Sequence, residues 1–278
     1  EKQAAKNGRR EEYTDYGTNP CSEIILRNKQ FCNLTEVVVR PDDTMASLRT
    51  KVEAATILGT FQATLTNFRY LTSKWKHNTQ EESLLGVSLT GIMDNIDMIN
   101  GKIDLEYLKN LSVSINKVWA KKLGIPQSAA ITCVKPSGTV SQLVNSASGI
   151  HTRHSPYYLR TIRADKKDPL ARLMVDAGVY HEDDITKPEH TYVFYFPIKS
   201  PKGSLTRKDF TAIEHLEIWK QYQDNWCEHK PSVTISVKEN EWMEVDTVDW
   251  SKITEYETED MTENTKELAC SAGTCEII

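Results

Sequence analysis

Between Leu48 and Trp75 apolar side chains return every three or four positions, at Val52, Ala55, Ile57, Leu58, Phe61, Leu65, Phe68 and Leu71. A period of that kind predicts one long helix with a wide buried face. Ser83 to Leu89 is an apolar run bounded by Gly86 and Gly91, and a second helical period runs from Leu105 to Leu123 before Gly124-Ile125-Pro126. Glycine just past the last periodic residue, with proline beyond it, is a stop signal. Ala129 to Val134 predicts a short buried strand that runs straight into Lys135-Pro136-Ser137-Gly138-Thr139-Val140-Ser141. Further strands are expected at Tyr157 to Arg163, Tyr192 to Pro197 and Ser232 to Val237, and helices at Leu170 to Ala177 and Phe210 to Trp226. Strands alternating with helices predict an α/β architecture.

The polar pattern changes near the end. Residues 239 to 278 hold twelve acidic and two basic side chains, net −10, while the 238 before them carry +5. Such a segment is expected to be extended or weakly ordered, with Trp242, Trp250 and Tyr256 able to dock on the body. The chain therefore divides into a folded body, 1–238, and an acidic linker and tail, 239–278. The hydrophobic content of 39% is enough for a buried core, and a net charge of −5 argues against nucleic-acid or anionic-membrane partners. No run approaches the length of a membrane span and no secretory leader is present, so a cytoplasmic protein is expected. The chain opens Glu1-Lys2-Gln3 without methionine. That beginning suggests the later part of something longer.

Six cysteines lie scattered at 21, 32, 133, 227, 270 and 275. In a reducing compartment such cysteines are catalytic or inert more often than structural bridges. Cys270 and Cys275 enclose Ser-Ala-Gly-Thr, small residues that let a disulfide loop close. With no other cysteine or histidine pair nearby at zinc-like spacing, redox exchange is preferred over metal binding, and no metal site is expected. In Asn19-Pro20-Cys21-Ser22-Glu23, an extended loop would put Asn19, Cys21 and Glu23 on one face. Glu23 could act there as a general base, Asn19 as a donor to substrate and Cys21 as nucleophile or hydrogen-atom donor. A half-buried cysteine in an ordinary Asn-Pro turn is the plainer alternative. Cys32 follows eleven positions later in Phe31-Cys32-Asn33-Leu34. The Pro136 to Ser141 turn, between a strand and a helix start, offers hydroxyls and N–H groups to an anion such as a phosphate, although it is no Walker A loop and an ordinary capped helix reads equally well. Cys133 and Cys227 are taken as structural, His151 and His154 as surface histidines, and Tyr157-Tyr158 as strand packing.

Together these stretches resemble the catalytic subunit of ribonucleotide reductases. The resemblance rests on Asn-Pro-Cys-x-Glu, on Phe-Cys-Asn-Leu at its spacing, and on Val134-Lys-Pro-Ser-Gly-Thr-Val-Ser-Gln-Leu143 followed by Ser146-Ala-Ser-Gly-Ile-His151. The terminal Cys-x4-Cys completes the order. With Leu85-Gly-Val-Ser-Leu-Thr-Gly-Ile-Met93 and Cys227-Glu-His-Lys-Pro-Ser-Val-Thr-Ile235, the chain is most similar to the adenosylcobalamin-dependent ribonucleoside-triphosphate reductases.

The resemblance implies the later half of a ten-stranded α/β barrel with a central catalytic loop, plus a flexible C-terminal redox tail. It implies that Cys21 becomes the thiyl radical, that Glu23 takes the 3′-hydroxyl proton and that Asn19 holds the substrate. Cys32 would be one of two reducing cysteines, and Cys270 and Cys275 the swinging pair that resets them and is reduced by thioredoxin or a similar protein. Ser137, Gly138, Thr139 and Ser141 would hold the phosphates of a ribonucleoside triphosphate. Residues 1 to 20 contain no cysteine to pair with Cys32, so the missing N-terminal half of the reductase is an implied partner. The tail lacks the adjacent tyrosine pair of reductases that draw on a diiron subunit, which favours adenosylcobalamin as cofactor and leaves a diiron-dependent reductase as an alternative. A non-catalytic nucleotide-binding or interaction subunit is the alternative from another class.

Overall fold

The computed structural model describes residues 2–12 and 15–246. Its elements in chain order are α1 (Lys2–Ala5), β1 (Tyr16–Thr18), β2 (Ile25–Arg27), β3 (Asn33–Val38), α2 (Met45–Gln62), α3 (Ser73–Glu82), β4 (Leu85–Thr90), α4 (Ile96–Ile99), α5 (Leu105–Leu123), β5 (Thr132–Cys133), α6 (Thr139–Leu143), β6 (Tyr157–Asp165), α7 (Pro169–Asp176), β7 (His181–Asp183), β8 (Thr191–Lys199), α8 (Ala212–Asn225) and α9 (Trp242–Asp246).

The centre of the molecule is a parallel sheet in the order β3-β4-β5. Asn33 to Val38 pair in register with Leu85 to Thr90, and Val87 and Ser88 with Thr132 and Cys133. Every residue of β4 is buried, as expected of a strand covered on both faces. Leu48 and Val52 of α2 and Leu105 and Leu108 of α5 join Val87, Leu89 and Ile131 in the main core, into which α8 sends Ile218 and Tyr222. Trp226, just beyond α8, closes that core and donates from its indole to the Cys133 carbonyl at 2.8 Å.

Two small antiparallel units flank this body. β6, β8 and β7 form one sheet in that order, and β1 pairs with β2 in a short hairpin, Tyr16 opposite Arg27 and Thr18 opposite Ile25. The hairpin matters most, because Asn19 to Ile24 are its loop.

Helices with complete local signals fall where the sequence puts them. Helix α5 starts at Asp104, whose carboxylate accepts the Tyr107 N–H at 2.8 Å, and ends on Gly124 with φ 69°. The expected single helix from Leu48 to Trp75 is instead two. α2 ends at Gln62, where Ala63 caps it and Thr64 bonds its hydroxyl back to Phe61, and α3 begins after Thr72. The apolar period continues across the break because Phe68 and Trp75 both pack on the Phe31 ring rather than on a shared helix face. Gly86 lies inside β4 rather than at its end, for a steric reason: a Cβ there would sit 2.4 Å from Cδ2 of Leu34 and 3.2 Å from Cδ1 of Ile24. The expected strand from Ser232 to Val237 does not form. Its neighbour β5 runs out: after a single bridge between Val134 and Pro231, Lys135 and Pro136 turn away, and proline has no N–H to continue a ladder. The tail residues from 247 on, with Cys270 and Cys275, lie outside the described residues. Among the described residues no helix is long and apolar enough to cross a membrane.

Candidate active site

The loop between β1 and β2 is a tight turn, not the extended segment expected. Ser22 takes a left-handed conformation, φ 60°, its N–H donates to the Asn19 carbonyl at 2.8 Å, and the Ile24 N–H donates to the Asn19 side-chain oxygen at 2.9 Å. An asparagine that bonds its own backbone downstream folds the chain locally. The turn brings Asn19 and Glu23 together, Nδ2 to Oε1 at 2.7 Å, and leaves Cys21 exposed at its tip.

Glu23 itself is fully buried. Its Oε1 also receives the Lys135 ammonium at 2.6 Å, while Oε2 has no hydrogen-bond partner. A buried carboxylate oxygen left open is costly unless a ligand completes it. Cys21 and Cys133 also bear electrostatically on Lys135, and the Glu23 carboxylate holds its ammonium above the ordinary lysine range against burial.

Three anchors fix the hairpin to the sheet. Arg10 grips Glu82 with two bonds, at 3.0 and 2.8 Å, and donates to the Ile25 carbonyl at 2.9 Å. Lys230 donates its backbone N–H to the Glu23 carbonyl at 3.0 Å. His229 bridges the two layers, its Nε2 facing the Leu85 carbonyl at 2.9 Å and its Nδ1 accepting the Ile25 N–H at 3.4 Å. Burial, helped by the Arg10 charge, pushes that imidazole down to about 3, so it is neutral with the proton on Nε2.

Cys32 stands just before β3, packed against Leu84, Ala129 and Ala130. Burial and the nearby Glu23 charge push its thiol well up, only partly offset by Arg10 and Lys135. It is a protonated thiol at neutral pH, suited to giving up hydrogen rather than to attacking as thiolate. Cys133 and Cys227 are buried and also pushed up by burial, in keeping with a packing role.

The Pro136–Ser141 turn leaves the carboxyl end of β5, where open α/β sheets bind ligands. Ser137 and Ser141 are buried, and Gly138 and Thr139 are exposed. The Ser137 hydroxyl accepts the Ser141 N–H at 3.0 Å, and the Ser141 hydroxyl donates to the Ser137 carbonyl. Those two side chains hold the turn, while the first N–H groups of α6 have no intrahelical partner. His151 is half-buried rather than on the surface: its Nδ1 lies 2.9 Å from the Ser148 carbonyl and its Nε2 accepts the Thr234 N–H at 3.0 Å. His154 is exposed.

The structure thus gathers Asn19, Glu23 and Cys32 with the exposed Cys21 around Lys135. The sequence reading missed Lys135, although it lies inside the Val134–Leu143 motif, because only the hydroxyls and glycine there were weighed. It also missed His229 and Arg10, whose partners lie far away in sequence.

The architecture is an α/β fold shared with a solved reductase. A solved B12-dependent (class II) ribonucleotide reductase superposes with a TM-score of 0.68 at 24% identity, over 86% of this chain and 37% of that one. In sequence the chain is related to adenosylcobalamin-dependent ribonucleoside-triphosphate reductases, as its motifs suggested. It is 27% identical to that of Euglena gracilis over 226 residues, 79% of this chain and 30% of the relative. The Lactobacillus acidophilus and Lactobacillus gasseri proteins are 27% and 29% identical, each over 81% of this chain and 34% of their own length. The chain therefore spans 30 to 34% of the length of these curated relatives. No family model matches it.

Proposed function

We propose that this chain carries a large part of the active site of an adenosylcobalamin-dependent ribonucleoside-triphosphate reductase of the cytoplasm. One observation supports the reading above the rest: a buried carboxylate whose Oε1 is held by Asn19 and Lys135 and whose Oε2 is open, on the loop that exposes Cys21.

Each residue has a task in that chemistry. Cys21, as a thiyl radical, takes the hydrogen from C3′ of the ribose. Glu23 accepts the 3′-hydroxyl proton on Oε2. Asn19 has one Nδ2 hydrogen on Glu23 and a second left to orient the substrate. The 2′-hydroxyl leaves as water, and Cys32 with a partner thiol outside these residues gives up two hydrogens and becomes a disulfide. Cys21 returns its hydrogen to C3′. Cys270 and Cys275 then exchange with that disulfide through a mixed disulfide and pass the oxidation to thioredoxin or a similar reductant. Ser137, Gly138, Thr139 and Ser141 shape the turn whose N–H groups receive the triphosphate.

The exposed turn also fits the proposed cofactor. Pro20, Cys21 and Ser22 are all exposed, so a group bound on that side reaches the thiol without displacing packed side chains, and these three residues would face it. When bound, adenosylcobalamin supplies the one-electron chemistry that removes the thiol hydrogen. Residues 1–238 would contribute the later half of a ten-stranded barrel, completed by an N-terminal half.

The test is co-expression with the N-terminal part of a relative, followed by an assay for deoxyribonucleoside triphosphate. Product that forms with adenosylcobalamin and thioredoxin, and not when the cofactor is left out, is the expected result. Product formed equally without cobalamin contradicts the cofactor assignment; bound nucleotide with no product under any condition favours a non-catalytic subunit.

A further inference from the structure

We propose that Lys135 is the positioning residue of this site: it clamps Oε1 of Glu23 so that Oε2 is the oxygen presented to substrate. The inference rests on the reductase reading and assigns a role to a residue that the reading itself does not use.

The geometry is specific. Lys135 Nζ and Asn19 Nδ2 lie 2.6 and 2.7 Å from the same carboxylate oxygen, which fixes both the rotation of the carboxyl group and the identity of the open oxygen. Asn19 alone would leave that rotation free, since it shares the turn with Glu23 and moves with it. Lys135 comes from the opposite layer, 112 positions along the chain. Its own backbone is rigid: its N–H donates to the Ser88 hydroxyl of β4 at 2.8 Å, and Gly149 packs so closely on its carbonyl that a Cβ there would lie 2.6 Å from the oxygen. A side chain whose backbone is tied to a strand places its partner better than one on a free loop.

The ion pair is also built asymmetrically. The Lys135 side chain is 31% exposed and that of Glu23 is not exposed at all. The ammonium keeps part of its hydration while neutralising a buried charge, which lowers the desolvation cost of the pair. Glu36 of β3 also bears on this region; burial pushes it up, and the nearby Ser137 hydroxyl and Lys135 oppose that. Lys135 is followed directly by the Pro136–Ser141 turn, so a phosphate seated there and the base are held by one short stretch of backbone.

Two measurements test this on the full chain. In the assembled reductase, Lys135→Met is expected to lower kcat by about 100-fold with the KM for the ribonucleoside triphosphate within about threefold, and Lys135→Arg to recover most of the loss. A raised KM at unchanged kcat would instead make Lys135 a substrate-binding group, and equal rates for Lys135→Met and wild type would give it no role; either overturns the proposal and leaves the reductase reading standing. The second measurement needs no turnover. Lys135→Met lowers the melting temperature of the chain, and adding Glu23→Gln restores part of it, because the amide removes the unpaired buried charge. A Glu23→Gln change that shifts the melting temperature equally with and without Lys135→Met would show the two groups uncoupled and overturn the proposal even where no activity is found.

Discussion

Cys21→Ser is expected to lower deoxynucleotide formation by more than about 10³-fold while leaving the chain folded. The size follows from the bond that must be broken. A thiol surrenders its hydrogen atom readily and takes it back; a serine hydroxyl is isosteric enough to fill the turn but its O–H bond is far stronger. Little structure depends on the sulfur, since Cys21 is exposed and the turn is held by Asn19, Ser22 and Ile24. The melting temperature should therefore stay close to that of the unmodified chain, and loss of product can be assigned to chemistry. Retained product would remove Cys21 from the reaction.

The second large effect is on stability. Gly149→Ala is expected to cost about 2 to 4 kcal/mol, read as a lower denaturant midpoint at unchanged slope. Gly149 has φ 55°, where a Cβ is strained, and the added carbon would lie 2.6 Å from the Lys135 carbonyl oxygen. That carbonyl is backbone beside the proposed phosphate turn and cannot swing aside as a side chain could. Gly138→Ala is the control. Its φ is −61° and a Cβ there meets nothing within 4 Å, so stability should stay within about 0.5 kcal/mol. If both variants unfold at the same denaturant concentration, the packing of the Ser146–Ile150 segment on Lys135 is not as described.

What the sequence revealed and what it hid follow from the range of the interactions. Helix α5 was legible because its signals are local: the helical period from Leu105 to Leu123 and the stop at Gly124 and Pro126. The break between α2 and α3 was hidden because Phe68 and Trp75 keep the helical period while packing on Phe31, a contact the pattern cannot distinguish from a helix face. The strand expected at Ser232 to Val237 has the right residue types but loses its neighbour when Pro136 turns the chain away, a fact about a segment some 100 residues earlier. At the candidate site, Asn19, Cys21 and Glu23 were found from their spacing, yet the spacing implied an extended loop. A turn with Ser22 left-handed does the work instead, pairing Asn19 with Glu23 and turning Cys21 outward. Lys135 escaped notice because its partner is 112 positions away, and the motif that contains it was read only for its hydroxyls and glycine. The motif order carried the functional reading further than any element assignment did.

The sulfur of Cys21 and Oε2 of Glu23 are expected to face the same bound ribose. A crystal structure of the assembled protein with a ribonucleoside triphosphate tests it directly. The expected complex has the sulfur about 3 to 4 Å from C3′ and Oε2 within about 3.2 Å of the 3′-hydroxyl oxygen, with the phosphates at the start of α6. A nucleotide seated elsewhere, or a ribose in place with Oε2 still unpartnered, would contradict it.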